Sequence, residues 1–175
     1  MNTEFFNEQV NVNDLPKVES ITFVPLEKDY LKVLIWSRVI SLSTIGILLL
    51  ITILVVPESI PRILIKGVPG LYAAYVVWVF ISTVKGFKHK AYAIRERDIL
   101  YKSGWLWRSI TTAPFSRVQH LRIDQGPIER QFKLSKLKIF TAGGSSSDIS
   151  IPGLNPQMAK ELKEFIVKRS HDEEE

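Results

Sequence analysis

The chain contains no cysteine. Disulfides, thiolate metal sites and cysteine nucleophiles are therefore excluded. Its three histidines, His89, His120 and His171, lie far apart and form no spaced ligand motif. No glycine-rich loop with a phosphate-binding lysine opens a helix. The first thirty residues lack the basic start and early apolar run of a secretory leader, so none is expected. Those residues carry six acids against two bases. Between Lys85 and Arg169 the balance reverses, with seventeen Lys/Arg against seven Asp/Glu. A basic domain of this kind meets nucleic acid or an anionic lipid surface.

Charge is absent altogether from two stretches, Val39–Val56 and Gly67–Val84. Each is eighteen residues long, and with the apolar turns beside it can cross roughly 30 Å of hydrocarbon. Neither alternates as a barrel strand does, so both are expected as helices. The spacing predicts that the first helix sets in near Leu26, with Leu31, Leu34, Ile35, Arg38 and Val39 on one face. Eight basic residues flank the outer ends of the pair, Lys28, Lys32 and Arg38 before it and Lys85, Lys88, Lys90, Arg95 and Arg97 after it. The connection, expected at 57–66, has only Arg62 and Lys66. That asymmetry places both termini in the cytoplasm.

From Lys90 the texture changes to short alternating segments with turn signals. Strands are expected at 91–95, 99–103, 105–112, 118–125, 136–141 and 148–152, with a helical turn over 127–134. Asn155 as N-cap and Pro156 at the first position open a closing helix. Met158, Ala159, Leu162, Phe165 and Ile166 form its apolar face. The expected organisation is a mobile N-terminal arm (1–25), two transmembrane helices (26–86), a cytoplasmic mainly β domain (90–169) and an acidic tail (170–175).

The stretch Ala113–Leu134, APFSRVQHLRIDQGPIERQFKL, concentrates the candidate contacts. Arg117, Arg122, Arg130 and Lys133, with Lys136 and Lys138 just beyond, could face anionic headgroups or an acidic partner. The competing reading is a solvated basic face that only sets orientation. Gln125, Gly126 and Pro127 read as a structural turn, with glycine supplying a positive φ and proline the entry to the helical turn. Ser116, His120 and Asp124 share a strand face, but about 13 Å separates the ends of four residue steps, too far for a triad. Asp124 and Glu129 sit beside Arg122 and Arg130, so ion pairing is their default. Trp105 and Trp107 are expected at the boundary of sheet and membrane; stacking on nucleic acid is disfavoured for a domain tethered there. No catalytic, cofactor or metal residues are assigned.

The words SRVQHLRIDQGPIERQFKLSKLKIFTAG (Ser116–Gly143), ISIPGL (Ile149–Leu154), the closing helix with Ala159 and the upstream FVPLEKDYLKVLIW carry a resemblance. They resemble the YdbS-type membrane-flanked proteins, whose soluble unit is a bacterial pleckstrin-homology-like (PH-like) domain. The resemblance covers about residues 20–168. It implies a two-helix transmembrane hairpin followed by a PH-like split barrel capped by a C-terminal α-helix. It further implies a bacterial inner membrane setting, no enzymatic activity, no cofactor, and a larger relative with several copies of the domain as partner. Envelope maintenance or resistance to membrane-active compounds is the process expected. Lipid binding or lipid transport is the alternative. Phosphoinositide recognition does not transfer from the fold alone.

Overall fold

Helix α1 (Asp29–Val55) is one continuous element that starts ten residues before the charge-free run. Asp29 lies in its first turn, where an acid complements the helix dipole, and pairs with Lys32 at 2.7 Å. The computed structural model describes residues 21–55, 62–142 and 149–172. Most of the expected arm, the loop at 143–148 and the last three acids lie outside the described residues. Helix α2 runs over Arg62–Lys88, so the expected connection shortens at its C-terminal end. Continuing the helix satisfies backbone groups that an extended link would leave open in lipid.

Ile40, Ile47, Leu48, Leu54 and Val55 of α1 and Leu71, Val77 and Trp78 of α2 are exposed. Apolar side chains pointing outward around both helices suit a hydrocarbon solvent and not water. The helices pack together around Tyr72, whose hydroxyl donates to the Leu42 carbonyl at 2.5 Å. A side chain on Gly46 would begin 3.1 Å from that hydroxyl, so glycine leaves room for the ring.

The β part forms two antiparallel sheets. The first has the order β1 (Val24–Pro25), β2 (Ala91–Ile94), β3 (Asp98–Ser103), β4 (Ser109–Pro114). The second has the order β5 (Val118–Asp124), β6 (Ser135–Thr141), β7 (Ile149–Leu154). Strand β1 precedes the helices and pairs with the strand that follows them, Val24 opposite Tyr92 and Pro25 opposite Ala91. A short 3-10 turn, Phe115–Arg117, joins the sheets, and a short helix α3 (Pro127–Gln131) separates β5 from β6. Helix α4 (Pro156–Asp172) closes the domain; Asn155 caps it by accepting from the Gln157 amide at 2.9 Å.

Two element expectations need correction. The third strand does not span 105–112; Trp105–Trp107 form the turn, and β4 starts at Ser109. Gly104 at φ 94° dictates this, because any side chain there would overlap the Trp107 carbonyl. On α4 only Ala159, Leu162 and Ile166 are buried, while Met158 and Phe165 lie at the margin. Phe165 meets Phe115 edge-on, with ring centroids 6.1 Å apart.

The core joins both sheets and α4 through Ile99, Phe115, Leu137, Ile139, Ile151 and Ile166. It does not stop at the β part. Leu26, Tyr30 and Val33 from the start of α1 belong to the same cluster, with Leu34 and Phe87 packed against it. The face of α1 turned to the domain is thus Tyr30–Val33–Leu34, one position out of register with the expected stripe. Strand β7 receives Tyr30 at Gly153, whose φ is 65° and where a Cβ would stand 2.6 Å from the Tyr30 Cβ and Cγ atoms. The Glu27 amide donates to the Gly153 carbonyl at 3.3 Å. The helix pair is therefore packed into the domain and not merely tied to it.

Candidate functional site

Antiparallel pairing of β5 with β6 sets Arg122 opposite Lys138 and Asp124 opposite Lys136. All four project from the outer face of the second sheet. Asp124 takes Lys138 at 2.8 Å and Arg122 at 2.9 Å. The hydrogen bond from Lys138 holds the Asp124 carboxyl below its ordinary range, and Arg122 acts in the same direction. Lys136 lies 3.8 Å from Glu129. These exposed pairs are worth at most about 1 kcal/mol each, yet they occupy three of the six candidate cations. Further along, His120 stacks on Phe140 with centroids 4.1 Å apart. His120 is thus engaged with Phe140 and Asp124 with Lys138 and Arg122.

Helix α3 and the turn that closes it present two of the other three. Gly126 is its N-cap and Pro127 its first residue. Gly126 has φ −74°, so the expected positive φ is corrected. A side chain there would meet only the carboxylate of Glu129, the movable end of a flexible side chain. Gln125 ties the turn shut by donating to the Leu134 carbonyl at 2.8 Å. The helix ends with the Lys133 amide on Arg130 and the Leu134 amide on Glu129, a Schellman closure. The left-handed residue of that closure is Lys133, at φ 53°, where glycine is usual. A non-glycine residue there costs about 1–2 kcal/mol, so the sequence keeps a cation at a conformational expense. Arg130 and Lys133 are exposed and pair with no carboxylate among the described residues.

Arg117 is also exposed, but it lies beyond the opposite end of β5, about 20 Å away over six strand steps. The six candidates are therefore not one patch. They divide into an ion-paired trio (Arg122, Lys136, Lys138), a pair at the end of α3 with no carboxylate partner among the described residues (Arg130, Lys133) and a remote Arg117.

Helix α3 packs beside α1. Trp36 and Ile40 of α1 with Pro127, Ile128, Gln131 and Phe132 line an apolar groove of about 490 Å³. Arg130 and Lys133 bracket Gln131 and Phe132 in sequence without lining this groove, which sits at the level where the charge-free run of α1 begins. Sequence reasoning also missed Lys90, which comes to rest with its ammonium 5.4 Å from the Tyr30 ring. Burial lowers its pKa, and the neighbouring Arg38 and Lys136 lower it further. A half-buried cation among cations is unfavourable on its own and suits a surface that meets anions. No local signal marks Lys90, because its neighbours come from α1 and β6.

Comparison with known proteins resolves the family. The bacterial PH domain family matches residues 31–170. The chain belongs to the bacterial PH domain family. This family match takes in both helices as well as the β part, in keeping with a core that runs through Tyr30 and Val33. Among curated proteins, the UPF0699 transmembrane protein YdbS of Bacillus subtilis (strain 168) is 33% identical over 109 residues, covering 58% of this chain and 64% of the relative. The chain thus spans just under two thirds of that relative's length. No solved structure matches the chain. With a transmembrane relative and two helices long and apolar enough to cross a bilayer, this bacterial PH domain protein is a membrane protein. The matched families are not enzyme families.

Proposed function

We propose that this protein is a non-enzymatic platform of the bacterial inner membrane, presenting a PH-like domain at the cytoplasmic face for assembly with a larger membrane protein carrying several copies of the same domain. The observation that carries this reading is the packing of Tyr30 against Gly153, which builds the membrane helix into the domain core. A domain already held at the bilayer has no need of lipid affinity for recruitment. Its outward surfaces are then available to a protein. Affinity purification in gentle detergent tests this: a stoichiometric multi-copy relative is the expected companion. Recovery of the chain by itself, with no protein companion, would refute the assembly reading.

Both helices cross the bilayer in this reading, with both termini cytoplasmic. Pairing of β1 with β2 supports an even number of crossings, since the segments before and after the helices share one ladder. The basic flanks support the direction. Because the chain lacks cysteine, Ser59→Cys tests it cleanly. An impermeant maleimide should label that site from the outside of intact cells; labelling only after lysis would reverse the orientation.

The groove between α1 and α3 favours a second reading, in which the protein binds or helps to move a membrane lipid. Its apolar lining matches an acyl chain, and the exposed Arg130 and Lys133, next to the lining residues in sequence, supply charge for an anionic headgroup. Copurification of one defined lipid without a protein companion would favour that reading over the first.

A further inference from the structure

The turn between β3 and β4 carries Trp105, Leu106 and Trp107 in succession. Leu106 is 61% exposed and Trp107 86% exposed. Large apolar side chains are seldom left this open to water, and here two are adjacent at the tip of a rigid hairpin. The hairpin is fixed by Gly104 and by the ladder from Ser103–Ser109 to Asp98–Pro114.

The place of this tip along α2 says what it faces. The Trp105 ring packs against the Trp78 ring, with centroids 6.1 Å apart. The Lys85 ammonium lies 4.6 Å from the same Trp105 ring. Trp78 and Lys85 are two helical turns apart on one face of α2, so the tip lies along the helix and does not simply touch its end. Trp78 is six residues inside the charge-free run that ends at Val84, about 9 Å along the helix axis. Lys85 marks the headgroup level, since the last turn of α2 carries Lys85 and Lys88. A side chain in contact with Trp78 is therefore below that level.

We propose that the β3–β4 tip is a third membrane element, with Leu106 and Trp107 inserted in the headgroup–acyl boundary of the same leaflet that α2 enters. The occupant of this apolar surface is bilayer lipid. The surface of α2 continues directly into it through Trp78 and Trp105, and Lys85 and Arg108 stand where cations meet headgroups. Helix α3 lies against α1 and the tip lies against α2. The domain therefore straddles its own hairpin, with both of its near-membrane edges on the bilayer.

This inference rests on the reading that α2 spans the membrane, and one experiment separates the two. Nitroxides are placed singly on the full chain, which has no native cysteine, through Leu106→Cys, Trp107→Cys, Val77→Cys and Gln119→Cys. Each variant is reconstituted in phosphatidylethanolamine–phosphatidylglycerol vesicles, and collision rates with oxygen and with a neutral nickel chelate are compared. Val77 reports the exposed face of α2 and Gln119 the water-facing side of β5. The expected result is that Leu106 and Trp107 favour oxygen over nickel, as Val77 does, while Gln119 favours nickel. Nickel access at Leu106 and Trp107 with oxygen preference at Val77 would overturn insertion while leaving the span intact. Low access to both reagents at the tip would mean burial against protein and would also overturn it. Nickel access at Val77 would remove the spanning reading itself. Two tip positions keep the test decisive if one substitution disturbs folding.

Discussion

Replacing Gly153 with alanine is expected to lower the stability of the full chain by about 3 kcal/mol, the sum of two separate penalties. A non-glycine residue at φ 65° is strained by about 1–2 kcal/mol. The new Cβ would also stand 2.6 Å from Tyr30 Cβ and Cγ, an overlap with a buried ring in a fixed element, for which overpacking costs of about 1–3 kcal/mol are usual. Thermal unfolding in detergent, followed by the β-sheet signal, measures the effect. Tyr30→Gly is itself costly because it empties a buried site and weakens the first turn of α1, but it removes both clashing atoms, Cβ and Cγ. Gly153→Ala combined with Tyr30→Gly should therefore cost less than the two single losses added together, by about 1–3 kcal/mol. Strict additivity would show that the helix and β7 are not coupled through this contact.

Arg130→Gln with Lys133→Gln should weaken the binding of an anionic lipid by about 2 kcal/mol, roughly thirtyfold, since a basic residue at an anionic surface contributes about 1 kcal/mol. Arg117→Gln should change little. Its position lies about 20 Å from α3, more than two screening lengths of about 8 Å at physiological salt. Titration of short-chain phosphatidylglycerol into the full chain in neutral detergent, read by native mass spectrometry, compares the three. Loss at Arg117 as large per charge as at Arg130 and Lys133 would mean that no localised site exists on α3. Arg122 and Lys138 make poor probes, because both are already paired with Asp124.

The elements that the sequence discloses are those with a local cause. The charge-free runs, the alternation of Leu137 and Ile139, and the Asn155-Pro156 start of α4 each carry their own signal, and each element forms there. What stays hidden depends on distant partners. The six cations read as one set in the chain because they lie within 22 residues of one another. Strand β5 separates the first from the pair at the end of α3, and Asp124 and Glu129 hold three of them in ion pairs. The role of Tyr30 is invisible for the same reason. Its counterpart, Gly153, lies across the whole length of the chain and announces only that the backbone bends there. Gly126 shows the opposite error. Glycine before proline suggests a special φ, whereas its φ is ordinary and its nearest neighbour is the movable Glu129 carboxylate.

The two-residue ladder of β1 with β2 has a bearing on biosynthesis. Residues 26–90 separate Pro25 from its partner Ala91, so at about 5–20 residues per second the ribosome takes about 3–13 s to supply it. Both helices are made in that interval. In the two-crossing topology proposed above, the strand synthesised first must wait until the second helix has brought the chain back to the starting side, and only then can it complete the sheet. A chain inserted with one crossing would leave β1 on the far side and the edge of β2 uncovered, an exposed strand edge of the kind that invites aggregation or proteolysis. In the proposed topology, closure of this small ladder is thus a checkpoint on insertion, failed by any chain with only one helix across.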